Sequence, residues 1–157
     1  MIELVHLVPA ERVLYSERGE TVLFRVLTDF EIEAVHDSAT IPPVADLPFE
    51  WYISSFYRKS PDEFETSYEC VQKLSWIFPD GKVNPLGKPT SFTFSRRGQN
   101  VHVAVRNLPL TSSGMYQVLA ELFVNGSSEP LLSRKVPILI KFHGVAKEDK
   151  TGETKSG

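Results

Sequence analysis

Short runs in which apolar and polar residues alternate dominate the chain, and no apolar stripe at helical spacing persists for three turns. This pattern predicts an all-β protein. From Thr21 to Thr28, Val22, Phe24 and Val26 share one face and Thr21 and Arg25 the other, after an Arg18-Gly19-Glu20 turn. Val101, Val103 and Val105 alternate with His102, Ala104 and Arg106, which predicts a half-buried strand with the valines inward and His102 toward solvent. Phe92 and Phe94 precede that strand, and residues 96 to 100 between them read as a hairpin loop in which Gly98 supplies a positive φ. Asn125-Gly126 is a hairpin signal between extended segments from Gly114 to Val124 and from Leu131 to Lys141. Pro137 has no N–H to give to a ladder, so it marks an edge or a bulge. Phe49 to Tyr57 and Ser67 to Phe78 are extended around a polar connector, and Pro79 to Lys82 turns the chain. With Ile2 to Val8 and a short piece from Val13 to Tyr15, about nine strands emerge, a number that predicts a two-sheet sandwich.

The stretch from Asp29 to Pro48 has no strand pattern and holds Pro42, Pro43 and Pro48, so it is expected to be the longest irregular connection and a place for function. Residues 146 to 157 contain no large apolar side chain and are expected to be a disordered tail behind one domain of residues 1 to 145. No apolar run approaches the ~20 residues of a membrane span, and the N-terminus lacks a signal-peptide pattern, so a cytoplasmic location without membrane contact is expected. A lone cysteine, Cys70, excludes an internal disulfide and a multi-cysteine zinc site.

The net charge of −3 carries no basic excess of the kind nucleic-acid binding needs. Its distribution is uneven: residues 1 to 80 hold 15 acidic and 6 basic side chains, and residues 81 to 157 hold 5 and 11. Either strands of the two halves interleave and neutralise one another, or the molecule is a dipole able to pair with itself. A sandwich also leaves edges, so a homodimer through edge strands is expected as one way to cover them.

Catalytic and cofactor motifs are thin. Gly81 to Thr90 looks like a phosphate loop, but the glycine spacing is wrong and Pro89 stands where a metal-binding hydroxyl belongs. His6, His36, His102 and His143 have no partner at metal-ligand spacing, and Cys70 has no adjoining base. Asp29, Glu31 and Glu33 alternate and could share one face, yet lack the curved loop that calcium requires. No cofactor, metal or catalytic residue is therefore expected, and a non-enzymatic protein-interaction or structural module is the leading reading. Its surface is drawn from Asp29, Glu31 and Glu33 and from the aromatic segment Trp51, Tyr52, Phe56 and Tyr57, whose rings pack in the core or present a face to a partner or to sugar rings. A carbohydrate-binding module on those aromatics is the alternative, and a small hydrolase using His36 and Asp37 a remoter one.

Leu110-Thr-Ser-Ser-Gly114-Met-Tyr116 resembles the turn that carries the tyrosine corner of immunoglobulin-like domains, and Trp76 resembles their core tryptophan. Ser112 replaces the usual Asp, and Val118 stands where the second cysteine would be. Trp76-Ile-Phe-Pro-Asp-Gly81-Lys, Val103 to Leu110, Gly114-Met-Tyr116 and Val124-Asn-Gly126 together resemble a group of uncharacterised bacterial single-domain β-sandwich proteins over residues 49 to 141. The resemblance implies an immunoglobulin-like sandwich without a disulfide, and it brings no activity or site residue with it.

Overall fold

The computed structural model describes residues 1–36, 45–46 and 50–146. It is an all-β sandwich. One sheet runs β2 (Thr21–Val26), β1 (Ile2–Tyr15), β5 (Trp51–Lys59), β9 (Gly98–Val105). The other runs β3 (Asp29–His36), β12 (Leu132–Ala146), β11 (Gly114–Val124), β6 (Tyr68–Ile77), with β7 (Val83–Pro85) and β8 (Thr90–Phe94) both on the far edge of β6. A two-residue ladder joins β4 (Ala45–Asp46) to β10 (Pro109–Leu110). No helix among the described residues is long and apolar enough to cross a membrane.

The pairing places β1, β5 and β9 as the A, B and E strands of an immunoglobulin sandwich, and β6, β11 and β12 as C, F and G. Period-two burial sets the layers: Cys70, Gln72, Leu74 and Trp76 on β6 and Tyr116, Val118, Ala120 and Leu122 on β11 point inward. One core cluster forms around Trp51, Ile53, Trp76, Val118 and Tyr116, and a second around Tyr57, Cys70, Phe94 and Leu122. Val118, which stands where an antibody-type domain has its second cysteine, belongs to the same core cluster as Trp51 and Ile53. Each such large side chain contributes roughly 1.5–3 kcal/mol by burial, against about 0–1 for an exposed ion pair, so the core and not the surface salt bridges holds the sheets together.

Both chain halves supply strands to both sheets, so the charges interleave: β5 of the first half pairs β9 of the second, and β6 pairs β11. Asn125 and Gly126 both have positive φ, as the hairpin signal requires. Among the described residues Pro137 pairs with Gln117 on one side only, because β3 joins β12 from Leu139 onward; it does occupy an edge there.

Several expectations need correction. The irregular stretch begins with a strand: β3 lies parallel to β12, a pairing between residues as far apart as Asp29 and Leu139 that local patterning does not reveal. Residues 37–44 and 47–49, with Pro42, Pro43 and Pro48, lie outside the described residues, as does the tail from 147; Ala146 itself still belongs to β12. Ile2 to Val8 and Val13 to Tyr15 are one strand of 14 residues that changes partner from β5 to β2 near Ala10. Val22 and Val26 of β2 are exposed.

Gly98 is not in a hairpin loop. It starts β9 opposite Arg58, and β8 and β9 belong to different sheets. A Cβ at Gly98 would lie 2.7 Å from the Phe56 ring, so close approach and not positive φ calls for glycine there.

The tyrosine corner is formed. Tyr116 is fully buried, and its hydroxyl accepts from the N–H groups of Thr111 (3.0 Å) and Ser112 (3.1 Å) and donates to the Ser112 carbonyl (2.8 Å). Tyr116→Phe strands three backbone groups and should cost about 1–3 kcal/mol in urea unfolding with the circular dichroism spectrum unchanged. Gly114 has φ +151°, with Pro79 Cγ 3.0 Å from its would-be Cβ. Gly114→Ala should therefore destabilise by about 1–3 kcal/mol; a neutral result for either variant would remove this corner as a structural anchor.

Candidate functional site

Two surface features stand out, a charged cleft and an uncovered strand edge. The cleft, of about 790 Å³, opens between the β1–β2 ribbon, the crossover into β3 and the start of β5. Its acids are Glu11, Asp29, Glu31 and Glu50, and its cations Arg12 and Arg25. Arg25 Nη1 lies 3.2 Å from Glu11 Oε2, and the two residues fall between the ladder pairs Ala10–Val26 and Arg12–Phe24. Thr28 Oγ1 donates to Asp29 Oδ1 at 3.0 Å, and Lys141 Nζ lies 3.8 Å from Glu31. Arg25 has φ +53°, a left-handed residue inside β2.

At the cleft's other wall Glu50 accepts from the Tyr52 hydroxyl at 2.7 Å and pairs with Arg106. The Tyr52 hydrogen bond first, and then Arg106, hold the Glu50 carboxyl below its usual range, and the same bond raises the Tyr52 phenol. Glu50 thus stays ionised near neutral pH and suits ion pairing more than proton delivery. Glu50 and Arg106 lie far apart in sequence; only the pairing of Trp51 with Val105 brings them together, so no local motif marks them.

Of the aromatic segment, Trp51 and Tyr57 belong to the core, at 0% and 1% exposure, and cannot form a binding face. Trp51 meets Trp76 edge to face (centroids 6.3 Å apart), and the Tyr57 hydroxyl donates to Gln72 Oε1 of the opposite sheet at 2.6 Å. Tyr52 and Phe56 are half-buried on the outer face, the first tied to Glu50 and the second stacked on His6 (5.7 Å). A platform of exposed rings for sugars is therefore dismantled by the fold. Asp29, Glu31 and Glu33 alternate on β3 as expected; the Glu33 side chain, and those of His36 and His143, lie outside the described residues. Among the described residues no three acidic, histidine or cysteine groups gather to hold a metal. Cys70 is buried, its thiol pushed up to about 11 by burial and then by Glu69, so it packs as an apolar group.

The second feature is the outer edge of β9. In the β5–β9 register Lys59 N–H donates to the Arg97 carbonyl (3.0 Å), so these opposed residues form a hydrogen-bonded pair. Strict alternation from there turns the backbone of Gln99, Val101, Val103 and Val105 toward β5. The backbone N–H and C=O groups of Asn100, His102 and Ala104 turn away from it. Among the described residues no strand pairs with that side of β9, since β7 and β8 pair with β6 and leave the D position empty. The Asn100 carbonyl accepts from the Gln99 side chain (2.9 Å), and the other outward groups have no backbone partner among the described residues. A pocket of about 480 Å³ adjoins the end of this edge, formed by Leu86, Gly87, Ala104, Val105 and Arg106.

The side chain of His102 does not face open solvent. It is half-buried, with Tyr15 edge-on at 6.0 Å, and Asn100 Nδ2 lies 3.4 Å from Thr21 Oγ1, because the end of the β1–β2 ribbon packs over this face. Its two ring nitrogens, His6 Nε2 and Ser54 Oγ are buried without hydrogen-bond partners among the described residues.

Comparisons add no family: no family model matches the chain, and no curated protein matches it. Among solved structures it aligns with the Pseudomonas fluorescens alkylpurine DNA glycosylase AlkC bound to DNA containing an abasic site analog, at 13% identity and TM-score 0.40, over 88% of this chain and 30% of that one. It aligns with the N-terminal domain of PorA at 9% and 0.36, over 87% and 98%. A family 123 glycoside hydrolase from Clostridium perfringens aligns at 9% and 0.39, over 92% and 28%. The chain thus spans under a third of the length of either enzyme, and at these scores the likenesses carry no argument about function.

The two histidines make a pH prediction. His6 is held below the usual histidine range by burial and then by Arg134, and His102 by burial and then by His6. Both therefore bind a proton less readily folded than unfolded, so their contribution to stability is present above about pH 6.5 and is lost as pH falls through the folded values. Urea melts should show stability falling below that pH, with a shallower fall in a His6→Gln/His102→Gln protein. An unchanged slope would mean that other groups carry the dependence.

Proposed function

We propose that the chain is a non-enzymatic protein-interaction module whose working surface is the outer edge of β9. The observation that supports this reading is the edge itself: eight residues, GQNVHVAV, free of charge and proline, with outward N–H and C=O groups that no strand among the described residues pairs. Exposed edges are normally blunted by charges, bulges or brevity, because an open one recruits another chain. Here the other edges are so treated. β2 carries the charged, left-handed Arg25, β3 alternates Asp29, Glu31 and Glu33, and β7 and β8 are 3 and 5 residues long. An edge left open among guarded ones suits β-strand addition, in which main-chain hydrogen bonds supply affinity and a side pocket supplies selectivity.

Among the described residues, the charged cleft is a place where an enzymatic reading can be tested. Incubation of the purified chain with chromogenic ester, phosphate and glycoside substrates should give no turnover above buffer. Turnover that Glu50→Gln abolishes would overturn the module reading.

A further inference from the structure

We infer that the β9 edge receives an extended segment of another protein with an uncharged alternating centre and acidic residues at its flanks; this rests on the reading of the chain as an interaction module. The centre follows from β9, whose outward backbone at Asn100, His102 and Ala104 offers hydrogen bonds without regard to sequence and carries no charge to be matched. An incoming apolar side chain at one end meets the pocket beside Ala104, where Leu86 is buried at the floor.

The flanks follow from the cations that bracket the strand. Arg96 and Arg97 are exposed just before β9, Arg106 follows it, and Lys88 is exposed on the β7–β8 turn beside the pocket-lining Gly87. Glu50 offsets Arg106, so the Arg96–Arg97 end carries the larger share of the preference. These charges also argue against a second copy as occupant. Antiparallel pairing of two β9 strands about a twofold axis sets Arg96 and Arg97 of each copy against Arg106 of the other, and opposed like charges disfavour that ladder. Carboxylates in the same places are attracted and give the pairing its direction.

The test uses the full chain and a labelled peptide of sequence Asp-Asp-Thr-Val-Thr-Val-Thr-Asp-Asp, beside a counterpart with lysine flanks. Fluorescence anisotropy should show the acidic peptide binding about tenfold more tightly than the lysine one, with the gap closing as salt is added. Hydrogen exchange should slow at the Asn100, His102 and Ala104 amides on binding. Ala104→Pro deletes one outward donor and leaves the ladder to β5 intact, so binding should fall with the urea midpoint unchanged. Arg96→Glu/Arg97→Glu, on exposed side chains, should reverse the order of the two peptides and serves should the proline variant misfold.

Equal binding of both peptides, or binding without protection at those amides, would overturn the inference. So would amides already slow to exchange in a monomeric chain, which would mean that its own residues cover the edge. Protection that grows with protein concentration alongside a doubled mass would identify a second copy as the occupant and overturn it too. Slow exchange in the monomer would also remove the open edge on which the module reading rests; the other results leave that reading standing, and it fails separately on turnover in the chromogenic assay.

Discussion

The contact on which the rest of the structure depends is the aromatic stack that joins the two sheets. Trp76 of β6 lies against Tyr116 of β11 (5.0 Å between centroids, 21° between planes) and meets Trp51 of β5 edge-on from the opposite sheet. The Tyr116 hydroxyl is pinned to three backbone groups, so the stack has little freedom to slide. Fixing Trp51 inward fixes the phase of β5, since a slip of one residue would turn its whole inward set to solvent. That phase then pairs Trp51 with Val105, which carries Arg106 to Glu50 and forms one wall of the cleft.

At the other end of β5, Lys59 does comparable work with a charge. It is 1% exposed, and its ammonium donates to the carbonyls of Thr66 (2.5 Å), Phe64 (3.2 Å) and Phe94 (3.4 Å) while lying 5.2 Å from the Phe94 ring centre. A buried ammonium is tolerable only with its donors satisfied, and here they tie the β5–β6 connector and β8 to the end of the first sheet. The backbone of the same residue bonds Arg97 and thereby decides which amides of β9 face outward. The core contact at Trp51 and the polar contact at Lys59 thus hold both ends of the strand that positions the open edge.

What could be read from the sequence was what short range determines. Alternation gave the strands, Asn125-Gly126 the turn, and the spacing from Leu110 to Tyr116 the corner, because each depends on residues within one turn or one strand. Alternation split the 51–57 segment into two sets but could not say which set faces in; that is decided by Trp76, a strand away in the other sheet. The parallel pairing of β3 with β12 was hidden for the same reason, and so was Gly98, whose need for a missing Cβ comes from the ring of Phe56 across the ladder. His102 alternated as a solvent-facing residue should, and it became half-buried only because the distant β1–β2 ribbon packs over its face. The acidic candidates Asp29, Glu31 and Glu33 were visible as a pattern, but their partners were not: Lys141 reaches Glu31 through a strand pairing that the pattern does not encode.

The unequal charge of the two chain halves takes its meaning from topology. Had the halves formed separate sheets, the molecule would carry an acidic layer on a basic one. Interleaving instead pairs β3, with its carboxylates, against β12, which brings Lys141, and sets Arg106 beside Glu50. These two ion pairs join the halves, while those of Met1 with Glu63, Arg25 with Glu11 and Arg58 with Glu3 lie within the first half. Among the described residues, Arg96 and Arg97 before β9 and Lys88 on the neighbouring turn are exposed cations of the second half, as are Lys82 and, on β12, Arg134 and Lys135. Among the described residues, the unfilled position beside β9 follows from the diversion of β7 and β8 to the edge of β6.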